Sequence, residues 1–341
     1  MSLNFKTLSA TAVMALGLAT AATAQDFALR FQSSDPAGNP NFALQVEWAD
    51  GVSDLTNGRV TVEMLPVNSI VQHTETQDAV AAGIIDGHIT DTSYFTGKDA
   101  AFGLIANPVG AWGSPYEMFA FLEYGGGNEL MSELLEPYGL HFIGATTPGL
   151  ESFISKVPLD GVDDLVGLKM RAPEGLVQQV FAAAGASPVN LPGSEVFTSL
   201  DKGVIDAADY TVFSTNQAQG MHDVAQHPVY PGFHSMPLVE VSMNKATWDS
   251  MPADLQAILE MSVRDFAHNM VAKLAAADTL AVAEANANPD ITVHNWSAAE
   301  RARFRTIAQG EWSKVASQSA GAQQVYDVLT AYLLAQGMIS E

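Results

Sequence analysis

One arginine stands out for the position it occupies. Arg171 closes the run GLKMR, directly before Ala172-Pro173 and a helical stretch, in a chain with 15 Lys+Arg against 38 Asp+Glu. A guanidinium buried in so acidic a protein needs an acid to bond. It grips a carboxylate through two parallel charge-assisted hydrogen bonds. A nearby side chain, Glu174 or Asp206, would satisfy it structurally, and an anionic ligand would satisfy it functionally. The other arginines fall in less telling places: Arg30 in a strand-like run, Arg59 after Asn-Gly, Arg264 in a long helical run, and Arg301, Arg303 and Arg305 on a polar tail helix. Only Arg171 ends a strand at a rim, where open α/β sheets place their ligands.

A second cluster runs from Asp209-Tyr210-Thr211 to Asn216, expected just past a strand end. Asp209 suits a hydroxyl or a cation, Tyr210 and Phe213 a pocket wall, and Asn216 a hydrogen bond. A polar loop capping a helix would have the same composition. In HPVYPGFH, His227 and His234 lie seven apart around Pro and Gly, a spacing that neither helix nor strand converges on a metal. That segment, with Phe233 and His234, is read as a stiff aromatic wall. Further candidates near expected strand ends or the loops after them are Ser33, Ser34, Gln72, His73 and Tyr94. Gly125-Gly126-Gly127 lacks the lysine and spacing of a phosphate loop. There is no G-x-S-x-G, no H-E-x-x-H and no cysteine, so binding ranks ahead of chemistry. The rival reading is a secreted carboxylate-acting enzyme using Asp209 and His234.

These residues need a scaffold. At 341 residues with 48% hydrophobic content, the chain exceeds the usual span of one core, and two lobes are expected. Phe27 to Gln32 and Val60 to Leu65 read as strands, Asn41 to Thr56 as an amphipathic helix, Thr74 to Gly83 as a helix, and Ile84 to Thr90 as a strand. That rhythm is doubly wound α/β. A second alternation begins near Leu140 with HFIGATT, SFISKVP and GLKMRAP, then a helix from Leu176 to Ala184, another from Ser194 to Lys202, and a strand from Gly203 to Tyr210. Leu238 to Asn244 returns as strand. The lobes are read as 25–145 plus about 235–265, and 146–234 plus the C-terminal helices. A helix over about 252–286 is long enough to span both.

The N-terminus carries Lys6, an apolar stretch from Leu8 to Ala21, and Ala22-Thr23-Ala24. That is the layout of a secretory signal cleaved after Ala24. A net charge of −23 excludes nucleic acid and anionic membrane as partners, because both need clustered Lys and Arg. An exported, cysteine-free protein suits a bacterial periplasm.

Three segments, DDLVGLKMRAPEG, AAGASPVNLPGSEVFTSLDKGVIDAADY and VEVSMNKATWDSMPADLQ, resemble the solute-binding proteins of TRAP (tripartite ATP-independent periplasmic) transporters. So does the entry AGNPNFALQVEWADGVSDLTNGRVTVEMLP. YGGGNELMSELLEPYGLHFIGA and VYPGFH are most similar to the branch that binds 2-oxo and 2-hydroxy monocarboxylates. The resemblance implies two α/β lobes closing on a small carboxylate and a membrane permease as partner. It also implies that Arg171 pairs with the ligand carboxylate, that Asp209 and Tyr210 face the ligand, and that Asn216 matches a ligand asparagine. A sensor-coupled receptor would keep the same pocket. The branch typically holds a bridging sodium or calcium. Here Phe233-His234-Ser235-Met236 offers no acid before Glu240, and Leu150-Glu151 stands near the place of the usual glutamine. The sequence is therefore read with no cofactor and no metal, and with room for a bulkier, benzoate-like acid stacked on Tyr94, Phe213 and Phe233.

Overall fold

A computed structural model describes residues 26–339. The expected signal segment and its cleavage after Ala24 lie outside the described residues. Among the described residues nine strands are present: β1 (Phe27–Ser33), β2 (Val60–Leu65), β3 (Gly87–Asp91), β4 (Leu140–Thr146), β5 (Ser152–Ser155), β6 (Lys169–Arg171), β7 (Ser187–Val189), β8 (Ala207–Thr211) and β9 (Val239–Asn244). They form two sheets, ordered β2-β1-β3-β9-β4 and β5-β8-β6-β7. β1 runs parallel to β2 and β3, and β6 runs parallel to β7 and β8. Helices flank both sheets, so the α/β two-lobe class holds.

Two boundaries differ from the sequence reading. The run HFIGAT does not open the second lobe: β4 pairs antiparallel with β9 at the edge of the first sheet, Leu140 opposite Asn244. β9 is almost wholly buried, so its outer edge needs a strand partner, and β4 supplies one. The strand read over Gly203 to Tyr210 is confined to β8, because Gly203 takes a left-handed φ of 69° that ends the preceding helix. Asp209 therefore sits within a strand rather than past its end.

The chain passes between the sheets over 147–151 and 212–238, and a third time along the helix Ala253–Ala287. That helix packs on β4 and on Pro40–Leu55 in the first lobe, and on Phe213–Ala218 in the second. The helices Ala298–Ala316 and Ala320–Ala335 pack on Leu176–Ala183 and on Ala100–Ala106. They thus straddle the lobes instead of belonging to the second. The two crossing segments touch closely: Glu151 N donates to Ser235 O at 2.9 Å, and a Cβ at Gly232 would lie 1.9 Å from the Glu151 carbonyl oxygen. Only glycine fits there.

Candidate functional site

On the second lobe the site starts at Arg171, the last residue of β6, placed between β8 and β7. It is 3% exposed. Its Nε donates to Leu191 O at 3.0 Å and its Nη1 to Asp209 O at 2.7 Å. Two main-chain carbonyls thus fix the plane of the guanidinium. Neither Glu174 nor Asp206 forms an ion pair with it. Tyr94, from the first lobe, lies within the field of the same guanidinium. Burial works against the cation, but Tyr94, Asp209 and Glu151 hold it fully protonated.

Beneath Arg171 lies a compact polar network. One oxygen of Asp209 faces His234 Nε2 at 3.2 Å, and the other accepts from Ser235 Oγ at 3.2 Å. Asp209 is also hydrogen-bonded to Glu151. Burial alone would raise the Asp209 carboxyl; the charge and hydrogen bond of His234, the bond from Glu151 and the field of Arg171 outweigh it and hold the group below the usual carboxylate range. Burial and the adjacent Asp209 push Glu151 well above that range. The proton of the pair therefore resides on Glu151, which donates to Asp209.

The first lobe contributes from the carboxyl ends of its parallel strands. Asp35 follows β1; its carboxylate accepts from Asn39 Nδ2 at 3.1 Å and from Gln45 Nε2 at 2.8 Å. Asp91 ends β3 and caps the turn Thr92–Phe95 by accepting from Ser93 N at 2.8 Å. That turn carries Tyr94. Burial raises both aspartates to about 6, and the field of Asp91 adds to the shift at Asp35. Burial also pushes Tyr94 above the ordinary tyrosine range and Tyr210 up to about 12, so both stay neutral phenols. His73 meets the Tyr94 ring edge-on at 4.7 Å, and burial followed by the Arg171 charge lowers it, leaving it neutral at pH 7.

Between these halves lies a cavity of ≈ 50 Å³ walled by Ser34, Asp35, Asp91, Tyr94, Glu151 and Tyr210. At about 10–15 Å³ per solvent molecule it admits only a few heavy atoms. The lobes latch beside it. Asn41 Nδ2 donates to Thr211 Oγ1 at 3.2 Å, and Asn41 Oδ1 accepts from Thr215 Oγ1 at 3.1 Å. A larger groove of ≈ 560 Å³ lies between Pro115–Tyr124, β4 and the long helix, away from Arg171; its arginine, Arg264, is exposed and already pairs with Glu123 at 3.1 Å.

The structure thus places Tyr94, Tyr210 and Ser34 on the wall of one cavity, while Arg171, Asp209 and His234 lie behind that wall, Arg171 and Asp209 joined by the bond from Nη1 to Asp209 O. Ser33 stands behind the wall, its Oγ accepting from Asp35 N at 2.8 Å. His73 backs Tyr94, while Gln72 is exposed and off the wall. Asn216 is a brace: its Nδ2 donates to Ser152 O at 3.1 Å and to Thr211 O at 2.9 Å. Phe213 and Phe233 do not wall the cavity. Phe213 packs with Ala281 and Ala285 under the long helix, and Phe233 stacks on Trp296 at 3.8 Å inside the core. Their size and apolarity pulled them inward, where such rings contribute most. His227 reaches His294 at 3.0 Å, not His234. Sequence reasoning missed Asp35 and Asp91. Both follow the carboxyl ends of parallel strands, the same rule that singled out Arg171.

The chain matches the family described as bacterial extracellular solute-binding protein, family 7, over residues 31–319. It is 30% identical to the monocarboxylate 2-oxoacid-binding periplasmic protein of Nostoc sp. over 68% of this chain and 64% of that protein. A TRAP periplasmic solute-binding protein from Rhodobacter sphaeroides, crystallised apo and open, shares 63% identity at a TM-score of 0.77, covering 92% of this chain and 100% of that one. Another from Pseudoalteromonas atlantica, with bound sodium and pyruvate, shares 25% identity at a TM-score of 0.79, covering 90% and 94%. In the present chain Glu151, Asp209 and His234 each bring one ligand atom within 4.8 Å of the others. A hard cation prefers oxygen donors. One of these three is an imidazole nitrogen, and both Asp209 oxygens already have partners, so the set fits sodium or calcium poorly.

Proposed function

This chain belongs to the family 7 bacterial extracellular solute-binding proteins, the periplasmic receptors of TRAP transporters, and from that premise we propose that it captures a small organic carboxylate between its lobes and passes it to a membrane permease. Proteins of this family bind solutes for transport and are not enzymes. One observation carries the ligand reading: Arg171 is buried at the rim of β6, two of its N–H groups are fixed by main-chain carbonyls, and among the described residues no carboxylate forms an ion pair with it. A ligand carboxylate would supply the charge-assisted hydrogen bonds that two neutral carbonyls do not.

The ≈ 50 Å³ cavity and the inward packing of Phe213 and Phe233 favour a short aliphatic acid over a benzoate. The poor fit of Glu151, Asp209 and His234 to a hard ion favours binding without a bridging sodium or calcium. Asp209 and His234, locked to each other beneath Arg171, act as the electrostatic support of that guanidinium. A thermal-shift panel of short carboxylates against the mature protein tests the reading, since a ligand specific to the native state raises the melting temperature by mass action. At least one acid should stabilise the wild type and leave Arg171→Ala unmoved. An equal shift in Arg171→Ala would remove Arg171 from the site.

A further inference from the structure

The cavity holds more acid than its fixed cations can balance. Asp35, Asp91 and Glu151 stand on its wall, with Asp209 directly behind. Arg171 lowers Asp91, Glu151 and Asp209 but does not figure at Asp35, His234 already faces Asp209, and Glu151 holds its own proton, which leaves Asp35 and Asp91 as the acids to be balanced. Among the described residues no lysine, arginine or histidine forms an ion pair with Asp35, Asp91 or Glu151. Glu151 is 5% exposed and its side-chain hydrogen bond goes to another carboxyl. A simple carboxylate entering this space would bring a further negative charge into a poorly solvated site, at a cost that grows as the lobes close.

We infer that the ligand brings its own positive charge: it is a small zwitterion whose carboxylate meets Arg171 and whose ammonium group sits against Asp35 and Asp91. The inference rests on the receptor reading above and names its substrate class. The two poles lie where the fold separates them. Arg171 belongs to the second lobe, Asp35 and Asp91 to the first, and Tyr94, on the cavity wall, lies within the field of all three. Closure would bring the two halves of a zwitterion to their opposite charges together, so neither lobe alone completes the site. With both aspartates at about 6, most of their charge is present at neutral pH and available to an ammonium group.

The test is calorimetry on the mature protein with matched pairs of short acids: glycine and glycolate, L-alanine and L-lactate, β-alanine and 3-hydroxypropanoate, 4-aminobutanoate and 4-hydroxybutanoate, each with and without EDTA. The tightest binder should be an amino member, at least tenfold tighter than its hydroxy twin and indifferent to EDTA. Asp35→Asn combined with Asp91→Asn should weaken it at least tenfold and leave the hydroxy twin unchanged or tighter; each single variant serves if the double one melts early. A hydroxy acid that binds as tightly as its amino twin overturns the zwitterion and leaves the carboxylate receptor standing. So does binding that vanishes in EDTA and returns with calcium. If no acid in the panel binds, the short-carboxylate reading falls and the zwitterion with it.

Discussion

The two halves of the cleft handle charge in opposite ways. On the second lobe every charged group is answered from within: Arg171 by two carbonyls, Asp209 by His234, Ser235 and Glu151. On the first lobe Asp35 and Asp91 receive neutral donors only, from Asn39, Gln45 and the Ser93 amide. The same residue type is consequently pushed in opposite directions, Asp209 down and the other two up. Burial is common to all three, so what decides the sign is whether a cation stands close enough to offset desolvation. The second lobe is pre-set, and the first is left to be completed by something that enters.

The largest expected effect separates the aromatic support of the pre-set half from its chemistry. Phe233→Ala should destabilise the fold by about 3–5 kcal/mol, the usual result of emptying a buried ring site, read by urea unfolding. Ligand affinity should change by less than a few-fold. A tenfold loss of affinity at unchanged stability would place Phe233 back in the cleft.

Next in size is the pH response, which should carry both signs. Asp35 and Asp91 have folded values near 6 against 3.8 unfolded. The folded state therefore binds more protons, and their contribution is fully present below about pH 4 and lost as pH rises through about 6. Asp209 works the other way: its contribution is present above about pH 4 and lost as pH falls further. Asp91→Asn keeps the cap on the Thr92–Phe95 turn and should stabilise the ligand-free protein by about 1–2 kcal/mol at pH 7, with no gain at pH 4. A gain of equal size at both pH values would mean that Asp91 is not strained by its charge.

The smallest effect tests the latch. Asn41→Ala removes two hydrogen bonds between the lobes and should weaken ligand binding by about 1 kcal/mol, measured as a several-fold rise in Kd with the melting temperature of the ligand-free protein little changed.

How much of this could be read from residue order depends on what each position is made to do. The rim placement of Arg171 was legible, because a short apolar run followed by Ala-Pro and a helix marks a strand end. Its partners were not. Leu191 O and Asp209 O are main-chain atoms that any sequence provides, so nothing in the letters pointed away from Glu174 or Asp206. The long helix was plain from its uninterrupted helix formers. The place of β4 was not, since HFIGAT has the composition of a buried strand but carries no mark of which sheet it joins. Phe213 and Phe233 were misplaced because an aromatic ring beside polar residues looks the same whether it walls a pocket or fills a core. Asp35 was overlooked one residue beyond Ser33 and Ser34, in a loop whose Pro and Gly made it read as a mere turn.

The helix Ala253–Ala287 has a mechanical meaning beyond joining the lobes. Its 35 residues, at ~1.5 Å each, make a rod of about 50 Å that cannot turn with both bodies it touches. Any rotation of one lobe against the other must bend this rod or slide a lobe along it. A few degrees at the centre move its tips by about 1–2 Å. The ends of that rod, far from the cavity, are where a protein outside could feel whether the cavity is full.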